Sequence, residues 1–204
     1  MLDEFGVQLV AAWRGTGWIE IIAAALAVAY LLLAIRQSIH CWLAAFASSC
    51  LYVWVLFGAR LYMESALNGF YAAMAAYGFW QWRESAGSAA VTVHRWTLAC
   101  NALGTAGIIG LSAASAYLLR RFTHAAWPFM DSMVAWASVF ATFMVARKVY
   151  ENWHWWLVID SVSLCLYFTR RLYLTALLFA LYLALIVVGM REWRRSLRIA
   201  AHAA

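Results

Sequence analysis

Residues 147–173 read RKVYENWHWWLVIDSVSLCLYFTRRLY. Basic and aromatic borders close this stretch at both ends, with Arg147, Lys148 and Trp153 on one side and Arg170, Arg171 and Tyr173 on the other. Between them runs an apolar segment broken by one carboxylate, Asp160. About 30 Å of hydrocarbon takes roughly 20 helical residues, fewer where the bilayer thins or flanking residues snorkel. The segment is long enough to cross. On a helix, Trp153, Trp156, Asp160, Ser163 and Tyr167 follow one another at spacings of 3, 4, 3 and 4 and share one face. Leu157, Val158, Val162 and Leu166 lie behind them. An ionisable group at membrane depth is costly and usually lines a wet path. The stripe therefore predicts a lined interior, although Trp153 taken alone reads as an interfacial belt residue.

Composition sets the class. Apolar residues make up 67% of the 204 positions, charged residues 12%, and there is a single proline. A soluble domain carries about a quarter charged residues, so the chain reads as an all-α integral membrane protein. Its length accommodates seven spans with short connections, one membrane domain and no soluble one. The net charge of +6 invites a nucleic-acid partner. The basic residues, however, sit in the breaks between apolar runs, which signals topology and not phosphate tracking.

The four cysteines, Cys41, Cys50, Cys100 and Cys165, fall inside apolar runs without a CxxC pair, and read as small buried hydrophobes. No metal-ligand cluster, nucleophile motif or phosphate loop appears, so no cofactor, metal or catalytic residue is expected. His40, His94, His124, His154 and His202 all fall at span borders or in loops. Asp3 and Glu4 stand where a signal peptide would be basic. Phe5, Leu9 and Trp13 recur every four residues, which predicts a short interfacial helix within residues 1–17.

The spans are expected at 18–35, 41–59, 61–80, 96–119, 127–146, 153–169 and 172–190. Residues 83–95 carry Gly and Ser and read as a mobile loop, and Pro128 suits the first turn of span five. With seven spans, one face receives Arg14, Arg60, Arg120, Arg121, Arg170 and Arg171. The other receives Arg36, Arg83, Arg95, Arg147, Lys148, Arg191, Arg194, Arg195 and Arg198. The richer face is expected to be cytoplasmic, which puts the N-terminus outside and the C-terminus inside.

A shift of 111 positions overlays the first three spans on the last three. Arg36 falls on Arg147, Trp42 on Trp153, Leu61-Tyr62 on Leu172-Tyr173, Tyr71 on Tyr182, Gly78 on Gly189, Trp82-Arg83 on Trp193-Arg194 and Glu20 on Asp131. Three is an odd number, so a linking fourth span must re-invert the chain. The repeats, residues 18–83 and 127–194 flanking a linker at 96–119, are then parallel. Parallel repeats around a site describe many carriers. In the linker, Gly104, Gly107, Gly110, Ser112 and Ser115 either permit close helix contact or only relieve crowding.

Further candidates for the interior are Glu64, Asn68 and Tyr71 on one face of span three, with Trp80 near its end. Span two contributes Trp42, Phe46, Ser49 and Tyr52, Ser49 being the repeat partner of Asp160. Together these indoles, phenols, hydroxyls and carboxylates suit a flat ring joined to a polar group. A cationic ring would gain more from Asp160 and cation–π attraction. Glu20 and Asp131 read as helix N-terminal charges. Glu64 lies close enough in sequence to pair with Arg60.

From about Gly17 to Trp193 the chain resembles the PnuC-type vitamin transporters. The likeness is most specific in Gly17-Trp18-Ile19-Glu20, Tyr77-Gly78-Phe79-Trp80, Asp131-Ser132, and Arg147-Lys148 through Glu151-Asn152-Trp153 to Trp156. The resemblance implies a SWEET-like 3+1+3 helix arrangement, a homotrimer, and a bacterial plasma (inner) membrane location. It also implies uptake by facilitated diffusion of a B-type vitamin that a cytoplasmic kinase then traps by phosphorylation. Two positions depart from the riboside carriers, which often have Asn where this chain has Asp160 and where it has Ala76. Nicotinamide riboside ranks first as substrate and thiamine second, with riboflavin carried by other relatives. A proton-coupled carrier is a further alternative, since buried carboxylates permit one. A membrane enzyme using Asp160 and Glu64 as acid and base finds no supporting motif.

Overall fold

The computed structural model describes residues 17–60, 62–84, 92–122 and 127–203. The expected interfacial helix at 1–17 and most of the loop at 83–95 lie outside them. Seven helices follow one another: α1 Trp18–Ile35, α2 Cys41–Gly58, α3 Tyr62–Glu84, α4 Leu98–Phe122, α5 Pro128–Ala146, α6 Asn152–Thr169 and α7 Tyr173–Ala203. Pro128 opens α5, where a helix has no use for the missing amide. Glu20 and Asp131 sit in the first turns of α1 and α5, as helix-end charges should.

Tight turns join the helices within each triplet. Gln37, Lys148 and Arg171 take left-handed backbones with φ of 55°, 53° and 59°, and Arg60 does so with φ of 61°. After the first three, the amides of Ser38, Val149 and Leu172 reach back to the carbonyls of Leu33, Met144 and Tyr167 at 3.0, 2.9 and 2.9 Å. This six-to-one bond is a helix C-terminal closure that usually employs glycine. Here non-glycine residues hold it, at matching places in the chain.

α2 packs on both α1 and α3, and α6 on both α5 and α7. The two groups meet where α3 packs on α5 and α1 on α7, while α4 lies against α5. Features of the first group reappear 111 positions later. Trp42 meets Trp82 edge to face at 5.4 Å and 85°, and Trp153 meets Trp193 at 5.4 Å and 85°. A methyl group on Gly78 would collide with the Trp42 ring, and one on Gly189 with Trp153. Lipid tails are as apolar as side chains, so such close contacts and hydrogen bonds, not escape from water, hold membrane helices together.

Five helices, α1, α2, α4, α5 and the part of α7 from Tyr173 to Ile199, are long and apolar enough to cross a bilayer by length and composition. The sequence predicts seven. α3 and α6 fall short because they carry the polar candidates, Glu64 and Asn68 on one and His154 and Asp160 on the other. α7 also runs well past the expected end at 190. Its extra turns present Arg191, Arg194, Arg195 and Arg198 outward while Trp193 is fully buried, with Leu197 packed beside the same core. That amphipathic pattern carries a helix beyond its apolar stretch.

Two expectations of burial need correction, and one left open is resolved. Cys41 is buried, but Cys50, Cys100 and Cys165 are exposed on the outer surface, where a thiol sits comfortably against lipid. Trp153 is no belt residue, being 2% exposed between Trp193 and Gly189. The linker's small residues divide in role. Gly104 makes room for Phe140 of α5, whereas Gly107 and Gly110 face open space. Ser112 is buried, and Ser115 accepts a 3.0 Å bond from the Trp136 indole.

Candidate functional site

The polar residues of the interior converge on α6. Asp160 is 5% exposed. Among the described residues, neither a hydrogen-bond donor nor a cation pairs with its carboxylate. Ser163, one turn further, is buried too, as are Ser49 of α2 and Ser138 and Thr142 of α5. Tyr71 of α3 lies near Ser138 and within electrostatic reach of Asp160. Ser138 donates its own proton to the Val134 carbonyl at 2.8 Å. Tyr182 of α7 lies within reach of both Asp160 and Tyr52. Tyr71 and Tyr182, matched by the 111-position shift, thus approach one carboxylate from the two helix groups.

Aromatic rings extend this centre along α6. Tyr167 stacks on Phe179 at 5.2 Å and 24°, and Phe179 meets Tyr182 at 5.7 Å and 75°. The Tyr167 hydroxyl senses Arg170, Glu64 and Asp131, which places it towards the Arg170 end. There Arg170 and Asp131 form a 3.9 Å ion pair. Trp156 is half-buried and packs against both apolar clusters. Asn68 is half-buried on α3 and donates to its own helix at the Glu64 carbonyl, 2.9 Å away.

Other predicted residues stand elsewhere. Trp42 and Trp153 are buried, with ring faces covered by Gly78 and Gly189 and by the neighbouring indoles. Trp80 is 55% exposed. It lies nine positions after Tyr71, about 180° around the helix, so it faces away from the centre. Phe46 also points outward from the α2 stripe. Glu64 is exposed at the start of α3, and among the described residues it forms no ion pair.

Sequence reasoning missed Tyr30, Ser138 and Tyr182. Tyr30 lies within electrostatic reach of Tyr71 and packs on Trp42 at 6.1 Å. A lone phenol in the run AVAYLLLAI was its signal. Tyr182 was marked by its repeat partner, and Ser138 with Thr142 by their four-residue spacing in an apolar helix.

The opposite end of the molecule carries several links between distant segments. His94 and Val149 form a parallel β-bridge, with His94 N to Lys148 O at 3.2 Å and Tyr150 N to His94 O at 2.9 Å. Glu151 accepts from the Trp96 amide at 3.2 Å and faces Arg95 at 3.9 Å. The Lys148 ammonium lies 4.7 Å above the Trp82 ring, and burial pulls its pKa below the usual lysine range. Among the described residues, no group of His, Cys, Asp or Glu could hold a metal ion.

The sequence profile of the family described as "Nicotinamide mononucleotide transporter" matches residues 17–195. The chain belongs to that family. Its members are transporters and not enzymes. Among named relatives, the riboflavin/roseoflavin transporter RibM of Streptomyces davaonensis is 29% identical over 184 residues, covering 86% of this chain and 84% of that protein. The nicotinamide riboside transporter PnuC of Escherichia coli is 25% identical over 230 residues, covering 97% and 96%. The crystal structure of the vitamin B3 transporter PnuC superposes with a TM-score of 0.75 at 21% identity, over 97% of this chain and 89% of that one. The transporter family therefore shares this chain's helical fold, and Asp160 lies at the polar centre of that fold in this member.

Proposed function

We propose that this chain carries a vitamin whose ring bears a permanent positive charge, with nicotinamide riboside first and thiamine second. The observation behind this reading is Asp160, buried and, among the described residues, without a partner, with Tyr71 and Tyr182 in electrostatic reach from both helix groups. An isolated buried carboxylate is expensive, so a cation arriving with the substrate is the simplest compensation. Pyridinium and thiazolium rings supply that charge, and Trp156 and Tyr167 supply aromatic surface for them. Riboflavin, the substrate named for RibM, has a neutral ring and would gain nothing from the carboxylate.

In this reading all seven helices cross the bilayer, α3 and α6 included, as two parallel three-helix repeats joined by α4 in a SWEET-like arrangement. The matched turns, indole pairs and glycines support it. The Arg147 end faces the cytoplasm because it carries more of the basic residues. Substrate moves by facilitated diffusion through a homotrimer in the bacterial inner membrane and is trapped inside by a kinase. The test is uptake of labelled riboside or thiamine by liposomes holding the purified protein. Uptake down a gradient, unaffected by a protonophore, supports the proposal. Collapse of uptake with the protonophore favours proton coupling, and chemically altered vitamin would revive an enzyme.

A further inference from the structure

Two indole hydrogen bonds at the Arg147 end cross between the helix groups. The Trp82 indole of α3 donates to the Ala146 carbonyl of α5 at 3.0 Å. The Trp193 indole of α7 donates to the Ala34 carbonyl of α1 at 3.1 Å. Both carbonyls belong to the last turns of their helices, where the regular ladder ends, and the Ala34 carbonyl also accepts from the Gln37 amide at 3.0 Å. Each donor ring is buried and rests edge-on against a second indole, Trp42 or Trp153.

Those second indoles sit in the same cluster, yet among the described residues their N–H groups have no hydrogen-bond partner. The cross-group bond is thus specific to Trp82 and Trp193. Further ties hold both seams: across α3–α5 Arg147 donates to the Tyr77 hydroxyl at 3.4 Å and Tyr77 stacks on Phe143 at 6.4 Å and 10°, and beside α1–α7 Gln37 donates to the Ser196 hydroxyl at 2.8 Å. The ion pair at the Arg170 end joins α5 to α6, inside one group, and both side chains are over 40% exposed, at 42% and 44%.

We infer that Trp82 and Trp193 are paired latches that hold the Arg147 end shut, and that both indole–carbonyl bonds must break before the interior opens on that side. A rocking carrier exposes its centre by separating the helix groups at one end. The α3–α5 and α1–α7 seams are where they touch, and each seam carries one buried indole–carbonyl bond. The inference rests on the transport reading above, but concerns which contacts open and not what passes.

The test needs no substrate. In a background with all four cysteines replaced, Ser49→Cys reports access to the interior through a membrane-impermeant maleimide added at either end. Trp82→Phe and Trp193→Phe keep an aromatic ring, smaller than the indole, and delete the N–H. One net hydrogen bond of about 1 kcal/mol predicts about fivefold faster labelling from the Arg147 end for each, and about 25-fold for the pair if they add. Trp42→Phe and Trp153→Phe make the same change in size without losing a bond, and should label at the parent rate. Equal acceleration by all four variants, no acceleration by any, or acceleration from both ends overturns the latch. On the unaltered chain, the Trp82 and Trp193 indole protons should exchange with solvent at one common rate, since one opening frees both. Rates differing more than about tenfold contradict the proposal as well.

Discussion

Replacing Asp160 by Asn should make the protein more stable and a worse binder of cations. The carboxylate is 5% exposed and, among the described residues, unpaired, so its ionised form carries a desolvation cost in the empty protein. Asn keeps the shape and removes the charge. A buried polar group without its partner costs about 1–3 kcal/mol, more when charged. Relief of part of that cost should raise Tm by about 2–4 °C per kcal/mol for a chain of this size. Binding moves the other way. A ring cation about 4 Å from the carboxylate gains about 4 kcal/mol at an effective dielectric of about 20. Desolvating the pair returns some of this. A net loss of about 2–3 kcal/mol corresponds to a Kd weaker by about 30- to 150-fold. Thermal unfolding in detergent and equilibrium binding of labelled riboside or thiamine measure the two halves of the prediction. A destabilised Asp160→Asn protein with unchanged cation affinity would refute the reasoning, because the carboxylate would then be structural.

The glycines beneath the indoles give a packing test. Gly78→Ala and Gly189→Ala drive a methyl into the Trp42 and Trp153 rings and should cost about 1–3 kcal/mol each, while Gly107→Ala enters open space and should gain up to about 1 kcal/mol of helix propensity. Unfolding temperatures in detergent separate the two classes. Trp156→Ala should weaken binding of a planar ring by about 1–3 kcal/mol, and Trp80→Ala, whose indole faces outward, should leave it unchanged. Titrations of both variants with one ligand decide this. Arg170→Gln removes an ion pair whose partners are both well exposed, so the unfolding temperature should move by less than the equivalent of about 1 kcal/mol.

Much of this architecture was legible in the chain because lipid imposes a strict rule on length and polarity. The ends of α1, α2, α5 and α6 fall within about two residues of the apolar boundaries, the uncertainty any helix end carries. The α6 stripe was legible as well, since Asp160 and Ser163 are buried while Val158 and Val162 are exposed behind them. The length of α7 was not, because its last turns are held by contacts distant in sequence. Trp193 bonds Ala34, and Ser196 accepts a 2.8 Å bond from Gln37. Trp42 and Trp153 looked like ring-stacking surfaces, but Gly78 and Gly189 occupy the faces a ligand would need. Trp80 could have been placed correctly by angle alone. Its neighbours in an aromatic run drew attention away from its position opposite Tyr71.

The claim that matters most is that charge on the ring decides what enters the Asp160 centre. Nicotinamide riboside and its reduced form have nearly the same shape, but only the oxidised pyridinium is cationic. Competition between them for the purified protein, with thiamine and riboflavin alongside, measures that charge directly. The account predicts that oxidised riboside or thiamine binds at least about 30-fold more tightly than reduced riboside or riboflavin. Equal affinity for the two riboside forms, or tight binding of riboflavin alone, would contradict it.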